Sequence, residues 1–240
     1  MSGTAPGTPF HLHEVLDRAT VLGVAPLVSA PGVVEHSSLI LPSELARRSG
    51  SGVVAGFALT AWNPRGNNTM TWAVLAHATD SSVIVLASPD DSVAQWGALV
   101  TELAEARGVR GVVVGGAVRD LSQVSSSGVS VWSRSVNPSE PAKDVPGTLG
   151  RSLPLGDVVF RTGDLVVADD DGVLVVPRHA VPAALEHGER RVEQERELMS
   201  TIAREGLAAN VRTRLGGVLP EALLPSSSDK PLHVSPRRAE

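Results

Sequence analysis

The chain has 240 residues, and its composition excludes several classes of function. It contains no cysteine, which excludes disulfide scaffolds, thiolate-held metals and thiol nucleophiles. A net charge of −5 and an aromatic fraction of 3% argue against nucleic-acid binding, which needs basic surfaces and stacking side chains. The apolar runs are too short to cross a bilayer, so we expect a soluble cytoplasmic protein that does not bind membranes.

Lysine is scarce, which bears on the chemistry that is available. Only Lys143 and Lys230 occur, the first in a proline-rich segment and the second in a polar tail. A Schiff-base lysine needs dry, apolar surroundings, and neither segment predicts them. The sequence therefore disfavours Schiff-base catalysis.

The first half of the chain predicts alternating strands and helices within one domain over residues 10–219. Residues 1–9 and 220–240 lack apolar periodicity and are predicted to be disordered. The spacing of Trp96, Leu99, Val100 and Leu103 is i, i+3, i+4, i+7, which favours a helix. The predicted elements are strands over 52–60, 82–87 and 111–114 and helices over 68–78 and 93–107. This order is typical of parallel pairing with right-handed crossovers.

The second half predicts antiparallel strands and a terminal helix. A loop over 125–128 and a short strand over 129–134 precede an irregular segment, 137–154. Two apolar runs, 165–168 and 172–176, flank an Asp-Gly pair, which is a strong hairpin signal. A long charged helix is predicted over 181–205. The fold class is therefore α/β.

A candidate anion site lies where the predicted parallel strands end, because ligands bind beyond the carboxyl edge of such sheets. There the amino end of a helix after Gly97 faces the predicted loop 115–120. Gly116 would allow close approach of the backbone, Arg119 could hold an anion and Asp120 a hard cation. This set suits a small 2-oxo acid with Mg²⁺. The alternative is a surface ion pair that closes a glycine turn.

Glu195 is the second unusual residue. Helical geometry places it within an apolar stripe that includes Val192, Met199 and Ile202. A carboxylate in such surroundings must find a partner or shift its pKa. The alternative is an ion pair with one of the many arginines, at an oligomer interface.

Several ordered motifs together resemble one known family. They are Trp96-Gly97, the run Gly-Gly-Ala-Val-Arg-Asp over 115–120, Val-Pro-Gly-Thr-Leu-Gly over 145–150, and the Gly-Asp strand pair over 163–177. Asn67-Asn68 before a helix also fits. From about residue 12 to residue 210 the chain resembles the RraA-like family, which contains 4-hydroxy-4-methyl-2-oxoglutarate (HMG/CHA) aldolases and the ribonuclease regulator RraA.

The resemblance implies a fold, an assembly and a reaction. The expected fold is an α/β/β/α sandwich of the swivelling phosphohistidine-domain type. The expected assembly is a homotrimer or a hexamer with sites between subunits. Aldolases of this family use Mg²⁺ or Mn²⁺ to stabilise a pyruvate enolate during carbon–carbon cleavage or oxaloacetate decarboxylation.

The resemblance also implies roles for individual residues. Arg119 would steady the substrate and its enolate, and Asp120 would be the metal-site aspartate. The amides of Leu99 and Val100, after Gly97, would cradle the substrate carboxylate. Glu195 would reach the site from a neighbouring subunit.

Two positions depart from the aldolase pattern. Ala98 and Gln123 stand where acidic residues are expected, which should weaken metal binding. We expect a divergent metal-dependent lyase that acts on a small 2-oxo acid or a related carboxylate, within a specialised-metabolite pathway. The alternatives are a metal-independent enzyme on the same scaffold and a non-catalytic, RraA-like regulatory or binding protein.

Overall fold

The structure is a computed structural model that describes residues 12–33 and 38–225. The chain divides into two compact units, Met1–Gly188 and Glu189–Glu240. The predicted disordered segment 1–9 lies outside the described residues. Of the predicted tail 220–240, only the part up to residue 225 is described, and it includes a 3₁₀ turn, Glu221–Leu223.

The first unit is built on one large mixed sheet. Within the described residues its order is β1-β12-β11-β3-β4-β6-β7-β2, with β5 beside β6 and β8 beside β3, while β9 and β10 form a separate hairpin. The strands are β1 Leu39–Ile40, β2 Ala46–Ser49, β3 Val54–Trp62, β4 Ser82–Ala87, β5 Ala94–Trp96, β6 Gly111–Val118, β7 Ser130–Val136, β8 Thr148–Leu149, β9 Leu153–Leu155, β10 Val158–Phe160, β11 Leu165–Asp169 and β12 Gly172–Val176.

Helices connect the parallel strands, and further helices precede and follow the strands in the sequence. They are α1 Leu12–Leu22, α2 Val24–Leu27, α3 Thr69–His77, α4 Ala98–Ala106, α5 Leu121–Ser125, α6 Val181–Glu205 and α7 Leu207–Leu215. None of the helices in the described ranges is both long and apolar enough to cross a bilayer.

The centre of the sheet is parallel. β3, β4, β6 and β7 run in one direction, so their carboxyl ends meet at one edge. β4 and β6 are buried along their whole lengths, as expected for parallel strands that are covered on both faces. The antiparallel hairpin of β11 and β12 extends the sheet beyond β3. Loops that bind a ligand therefore have one natural location, the edge where β4 and β6 end.

The elements form three layers, and the apolar core lies between them. One face of the sheet carries α3, α4 and α5 over the parallel strands, and α1, α2 and the start of α6 over β3, β11 and β12. The opposite face packs against the β9–β10 hairpin, with Phe160 and Trp132 in the shared apolar cluster. The predicted α/β class is confirmed, and the described residues form a helix layer, a large sheet and a small sheet.

Several predicted elements are confirmed closely. The strand over 82–87 and the helix over 181–205 have the bounds that the sequence predicts. The helix over 68–78 is α3, and the Asp-Gly pair does connect an antiparallel hairpin. In each case the local pattern and the tertiary environment favour the same structure.

The prediction of one helix over 93–107 is wrong. Residues Ala94–Trp96 form β5 beside β6, and α4 starts at Ala98. The face that α4 buries includes Val100, Thr101 and Ala104 rather than Leu99 and Leu103. The apparent helical spacing of Trp96 with the later apolar residues is therefore coincidental.

Three predicted irregular segments contain regular structure. Residues 115–118 of the predicted loop 115–120 continue β6, so only Arg119 and Asp120 leave the strand. The predicted loop 125–128 follows a short helix, α5, and the segment 137–154 contains β8 and the start of β9. Glycine, serine and proline favour loops in the sequence. In these segments, pairing with neighbouring strands determines the structure instead.

Candidate functional site

A small cavity lies at the carboxyl edge of the parallel sheet. Its volume is about 60 Å³. Segments that are far apart in the sequence meet there. The residues around it are Asn68, Trp72, Ala94, Trp96, Gly97, Leu99, Val100, Arg119, Asp120, Pro141 and Lys143. The structure thus brings together most of the site residues that the sequence singled out, and adds five that the sequence did not place there.

The amino end of α4 forms one wall of this cavity. Gly97 is the N-cap and offers no side chain to the first turn. Because the first four amides of a helix lack intrahelical acceptors, the N–H groups of Leu99 and Val100 need partners from outside the helix. Partial positive charge at a helix start also favours an anion. This wall can hold a carboxylate.

Arg119 and Asp120 form the opposite wall. The Arg119 amide donates to the Trp96 carbonyl at 3.0 Å, which fixes the end of β6 beside the start of α4. Asp120 has φ of 56°, and it is the one non-glycine residue with positive φ in the described part of the chain. Its Oδ2 accepts from the Ala98 amide at 3.3 Å and lies 3.5 Å from Arg119 Nε. Backbone strain of this kind is typical of functional sites.

Gly97 allows these two walls to approach each other. A Cβ at position 97 would lie 2.8 Å from Asp120 Oδ2 and 3.0 Å from Arg119 Cγ. Its φ of −170° is ordinary extended backbone, so the requirement for glycine comes from space alone. The side chains of Arg119 and Asp120 are 35% and 40% exposed, so a ligand can reach both.

Asn68 is a site residue that the sequence identified only as part of the Asn67-Asn68 pair before a helix. It is 8% exposed and borders the cavity, and its Oδ1 has no hydrogen-bond partner among the residues described. Asn68 is the N-cap residue of α3, but its side chain does not cap the helix; the Asn67 Oδ1 accepts from the Thr69 amide at 3.2 Å. A buried amide without a partner costs free energy unless a ligand or water satisfies it.

Lys143 is a second residue whose location the sequence did not reveal. The proline-rich segment folds back against the start of α3, where the Asn68 amide donates to the Ala142 carbonyl at 3.0 Å. This contact brings Lys143 to the cavity, 3.8 Å from Glu140. Since the contact is tertiary, no local pattern in the sequence could have predicted it.

Two predicted site residues, Gly116 and Glu195, are not among the residues that line the cavity. Gly116 is inside β6, and a Cβ there would lie 3.0 Å from Gln95 Cγ, so its close approach is to protein rather than to the cavity. Glu195 belongs to the second unit, where its carboxylate is 60% exposed and lies 3.5 Å from Arg191 one helical turn earlier. The role expected for Glu195 concerns a neighbouring subunit and stays a prediction.

The donor set of the cavity fits a divalent ion only with help from substrate. Over residues 12–33 and 38–225, no group of three or more His, Asp or Glu side chains could hold a metal. Asp120 is the one carboxylate at the cavity, beside the two cations Arg119 and Lys143. Mg²⁺ often uses one or two carboxylates, with waters and substrate oxygens as its other ligands. Asp120 could therefore hold such an ion together with a bound anion.

An ion pair anchors the loop that follows β4 at the same sheet edge. Asp91 Oδ1 accepts from Arg134 Nη2 on β7 at 2.7 Å, and both carboxylate oxygens accept from Arg134 Nε. Partial burial raises the pKa of Asp91, but the hydrogen bonds and charge of Arg134 outweigh this effect and hold the pKa below its usual value. The pair helps to fix the chain that leads into β5 and α4.

Comparisons with known proteins agree with the geometry. The family model described as "RraA-like: Aldolase/RraA" matches residues 34–175. A relative from Halalkalibacterium halodurans, named "Putative 4-hydroxy-4-methyl-2-oxoglutarate aldolase", is 32% identical over 126 residues, which are 52% of this chain and 60% of that protein. The chain spans only 53% to 60% of the length of the curated relatives it matches.

Solved structures share the fold at low sequence identity. An uncharacterized protein from Pseudomonas syringae pv. tomato has a TM-score of 0.72 and 23% identity, over 89% of this chain and 99% of that one. Streptomyces coelicolor RraAS2, described as an unusual member of the RNase ES inhibitor RraA family, has a TM-score of 0.68 and 23% identity, over 82% and 98%. Because the family model covers more than half of the sequence, this chain belongs to the RraA-like family of Aldolase/RraA proteins.

Proposed function

We propose that this chain is a carbon–carbon lyase that cleaves a small 2-oxo acid through a pyruvate enolate. The supporting observation is the junction of α4 and β6, where Gly97 lets Arg119 and Asp120 approach the open start of a helix. This junction offers two sources of positive charge to an anion and one carboxylate to a proton or a cation. Family membership makes a lyase the natural chemistry for such a site.

The substrate carboxylate is held by the start of α4. The amides of Leu99 and Val100 donate to its oxygens, and the helix dipole favours its charge. Arg119 lies across the cavity and is free to turn toward the 2-oxo group, because its contact with Asp120 at 3.5 Å is long. The substrate is thereby oriented with its reacting carbons facing outward.

Cleavage of the C3–C4 bond leaves an electron pair that delocalises onto the 2-oxo oxygen. The Arg119 guanidinium stabilises this developing oxyanion, which is the kind of preorganised charge that contributes most to enzymatic rates. The buried Oδ1 of Asn68, which has no partner among the described residues, accepts a hydrogen bond from a hydroxyl group of the substrate. The α4 amides and Asn68 lie at helix starts, so Arg119 is the group that has to reorient.

A divalent cation fits this proposal with Asp120 as its protein ligand. Mg²⁺ or Mn²⁺ supplies Lewis-acid stabilisation of an enolate when bound. With Ala98 and Gln123 in place of acids, and Arg119 and Lys143 nearby, the cavity attracts anions more strongly than cations. We therefore expect the cation to bind tightly only when a 2-oxo acid or oxalate is present.

Assembly completes the proposed site. A homotrimer, or a hexamer made of two trimers, would bring Glu195 of a neighbouring subunit to the cavity as a group that moves a proton. The exposed apolar residues Val192 and Met199 on the same helix support an interface there.

The first test combines binding with turnover. The chain has four tryptophans and no tyrosine, and two of the tryptophans, Trp72 and Trp96, line the cavity. Oxalate, which mimics the pyruvate enolate, should therefore quench tryptophan fluorescence. Pyruvate release from oxaloacetate, measured with Mg²⁺, should exceed the uncatalysed rate and fall at least 100-fold in Arg119→Ala. Arg110→Ala is the control, because Arg110 binds the Asp80 carbonyl away from the cavity.

A non-catalytic binding protein is the second candidate, and the loss of acids at positions 98 and 123 favours it. This candidate expects oxalate binding without any pyruvate release. If Arg119→Ala abolishes binding while the wild-type chain releases no pyruvate in the presence of Mg²⁺ or Mn²⁺, the site is a ligand sensor rather than a lyase site.

A further inference from the structure

We propose that the substrate carries an apolar, preferably aromatic, group on C4 that packs against Trp72 and Leu99. This inference rests on the proposed lyase function and specifies its substrate class. The two side chains form the apolar rim of the cavity: Trp72 projects from α3, and Leu99 from the first turn of α4. The roles proposed above for Arg119, Asp120 and the α4 amides stay the same.

The exposure of the rim is the first supporting observation. Trp72 is 37% exposed and Leu99 is 59% exposed, although each borders a cavity whose inner residues Trp96 and Val100 are nearly buried. Large apolar side chains that lie together at the mouth of a polar site are typical of a ligand-binding surface. Leu99 is also the residue whose amide faces the carboxylate, so the rim and the anion site are continuous.

The size of the cavity is the second observation. Its volume of about 60 Å³ is small and suits the polar end of a 2-oxo acid better than a bulky substituent. With the carboxylate at the start of α4, a substituent on C4 extends across the rim, where it meets the Trp72 ring and the Leu99 side chain.

The polarity of the rim favours an apolar group over a second carboxylate. The cation at the mouth, Lys143, is about half exposed, and the charge of Glu140, 3.8 Å away, partly offsets its own. Trp72 and Leu99 offer an aromatic face and a branched alkyl group, and an aryl substituent can stack on the first and cover the second. A 4-aryl-4-hydroxy-2-oxobutanoate meets both requirements.

The reaction of such a substrate balances without any oxidant or reductant. The C3–C4 bond breaks, and the C4 hydroxyl becomes the carbonyl of an aryl aldehyde while its proton passes to the carboxylate of Glu195 from a neighbouring subunit of the proposed assembly. The bonding pair remains on the three-carbon fragment as the pyruvate enolate, and C3 then takes a proton from solvent to give pyruvate. An aryl aldehyde leaves easily across an open, apolar rim.

The test compares three substrates in the full-length chain: 4-hydroxy-2-oxo-4-phenylbutanoate, 4-hydroxy-4-methyl-2-oxoglutarate and oxaloacetate. We expect kcat/KM for the phenyl substrate to exceed that for the diacid at least tenfold. Trp72→Ala should lower the ratio of kcat/KM for the phenyl substrate to that for oxaloacetate about tenfold, mainly through KM. Trp72→Phe should restore most of that ratio.

Trp62→Ala is the matched control, because Trp62 is 36% exposed and does not border the cavity. A preference for the diacid that is lost in Lys143→Met would overturn the inference and assign the rim to a second carboxylate. A change of oligomeric state in Trp72→Ala, with the substrate ratio unchanged, would show that a second copy covers the rim. If the wild-type chain releases pyruvate from oxaloacetate but cleaves neither aldol, only the rim inference fails; without oxalate binding or any pyruvate release, the proposed function fails as well.

Discussion

Asp120 holds a left-handed backbone conformation, which costs most residues free energy but costs glycine none. The structure retains an aspartate there with φ of 56°, at the point where β6 ends and α5 begins. Its carboxylate faces the Ala98 amide and Arg119 rather than capping its own helix. The proposed role of Asp120 at the cavity would account for an aspartate at this position.

Asp120→Gly should separate stability from activity. We expect this variant to be about 1 kcal/mol more stable than Asp120→Ala, because glycine adopts positive φ without strain. Both variants should lose pyruvate release. Denaturant unfolding and the oxaloacetate assay measure the two effects. Equal stability of the two variants, or activity in either, would argue against this account of Asp120.

Gly97→Ala tests the close approach of the two walls. The added Cβ would lie 2.8 Å from Asp120 Oδ2, so both Asp120 and Arg119 must shift. We expect the affinity for oxalate to fall about tenfold or more, while the free energy of unfolding changes by about 1 kcal/mol or less, since the displaced atoms belong to half-exposed side chains. Gly217→Ala is the control, because open space surrounds that position. Unchanged oxalate binding in Gly97→Ala would contradict the geometry.

Among the secondary-structure elements, the sequence predicts correctly those for which the local residue pattern and the burial in the fold favour the same helix or strand. The six-residue strand β4 is wholly buried and half of its residues are β-branched, and the bounds of α6 follow its charge pattern and Pro182. The strand β5 was missed because Trp96 happens to fit the helical spacing of the residues after it. Its pairing with β6 is a tertiary contact, which no local window contains.

The candidate site likewise contains residues that the sequence predicts and residues that only tertiary contacts bring there. Gly97, Arg119 and Asp120 were predictable because they lie next to each other across one βαβ unit, at a known edge of the sheet. Asn68, Trp72 and Lys143 were not, because they come from α3 and from a proline-rich segment that folds back onto it. Their place in the site depends on packing between elements rather than on spacing along the chain.

The loop between β4 and β5 should respond to acid through Asp91. Its pKa is held below the usual value by Arg134, so its contribution to stability is present above about pH 5 and is lost as the pH falls through the lowered pKa. Because the pair is partly exposed, we expect Asp91→Asn to cost roughly 1 kcal/mol or less at pH 7. The difference between variant and wild type should shrink as the pH falls through the lowered pKa.

Denaturant unfolding at a series of pH values measures this difference. Asp157→Asn is the control, because Asp157 is exposed and forms no ion pair with any of the described residues, so its loss tests the removal of surface charge alone. A difference that grows as the pH falls would have the wrong sign for a carboxylate with a lowered pKa.

For the whole molecule, the proposed assembly determines whether the cavity is complete. Glu195 lies in the second unit and carries only an exposed contact with Arg191 in the isolated chain. If it acts in a neighbouring subunit, an inactive Arg119→Ala chain and an inactive Glu195→Ala chain each supply what the other lacks. Mixed trimers then contain some cavities with both residues.

Co-expression of Arg119→Ala and Glu195→Ala chains should therefore restore pyruvate release to a sizeable fraction of the wild-type value, about a quarter for random mixing. Analytical ultracentrifugation should show trimers or hexamers in every sample. Activity that stays at the level of the single variants would show that Glu195 has no role across an interface. A wild-type chain that sediments as a monomer would rule out the assembly itself.

The central claim is that the junction of α4 and β6 forms and stabilises a pyruvate enolate, and proton exchange tests it without knowledge of the full substrate. Pyruvate in D₂O with Mg²⁺ should exchange its C3 protons for deuterium faster with the wild-type chain than without it, as followed by the loss of the methyl signal in NMR. This excess exchange should disappear in Arg119→Ala and persist in Arg110→Ala. No excess exchange by a wild-type chain that binds oxalate would contradict the claim.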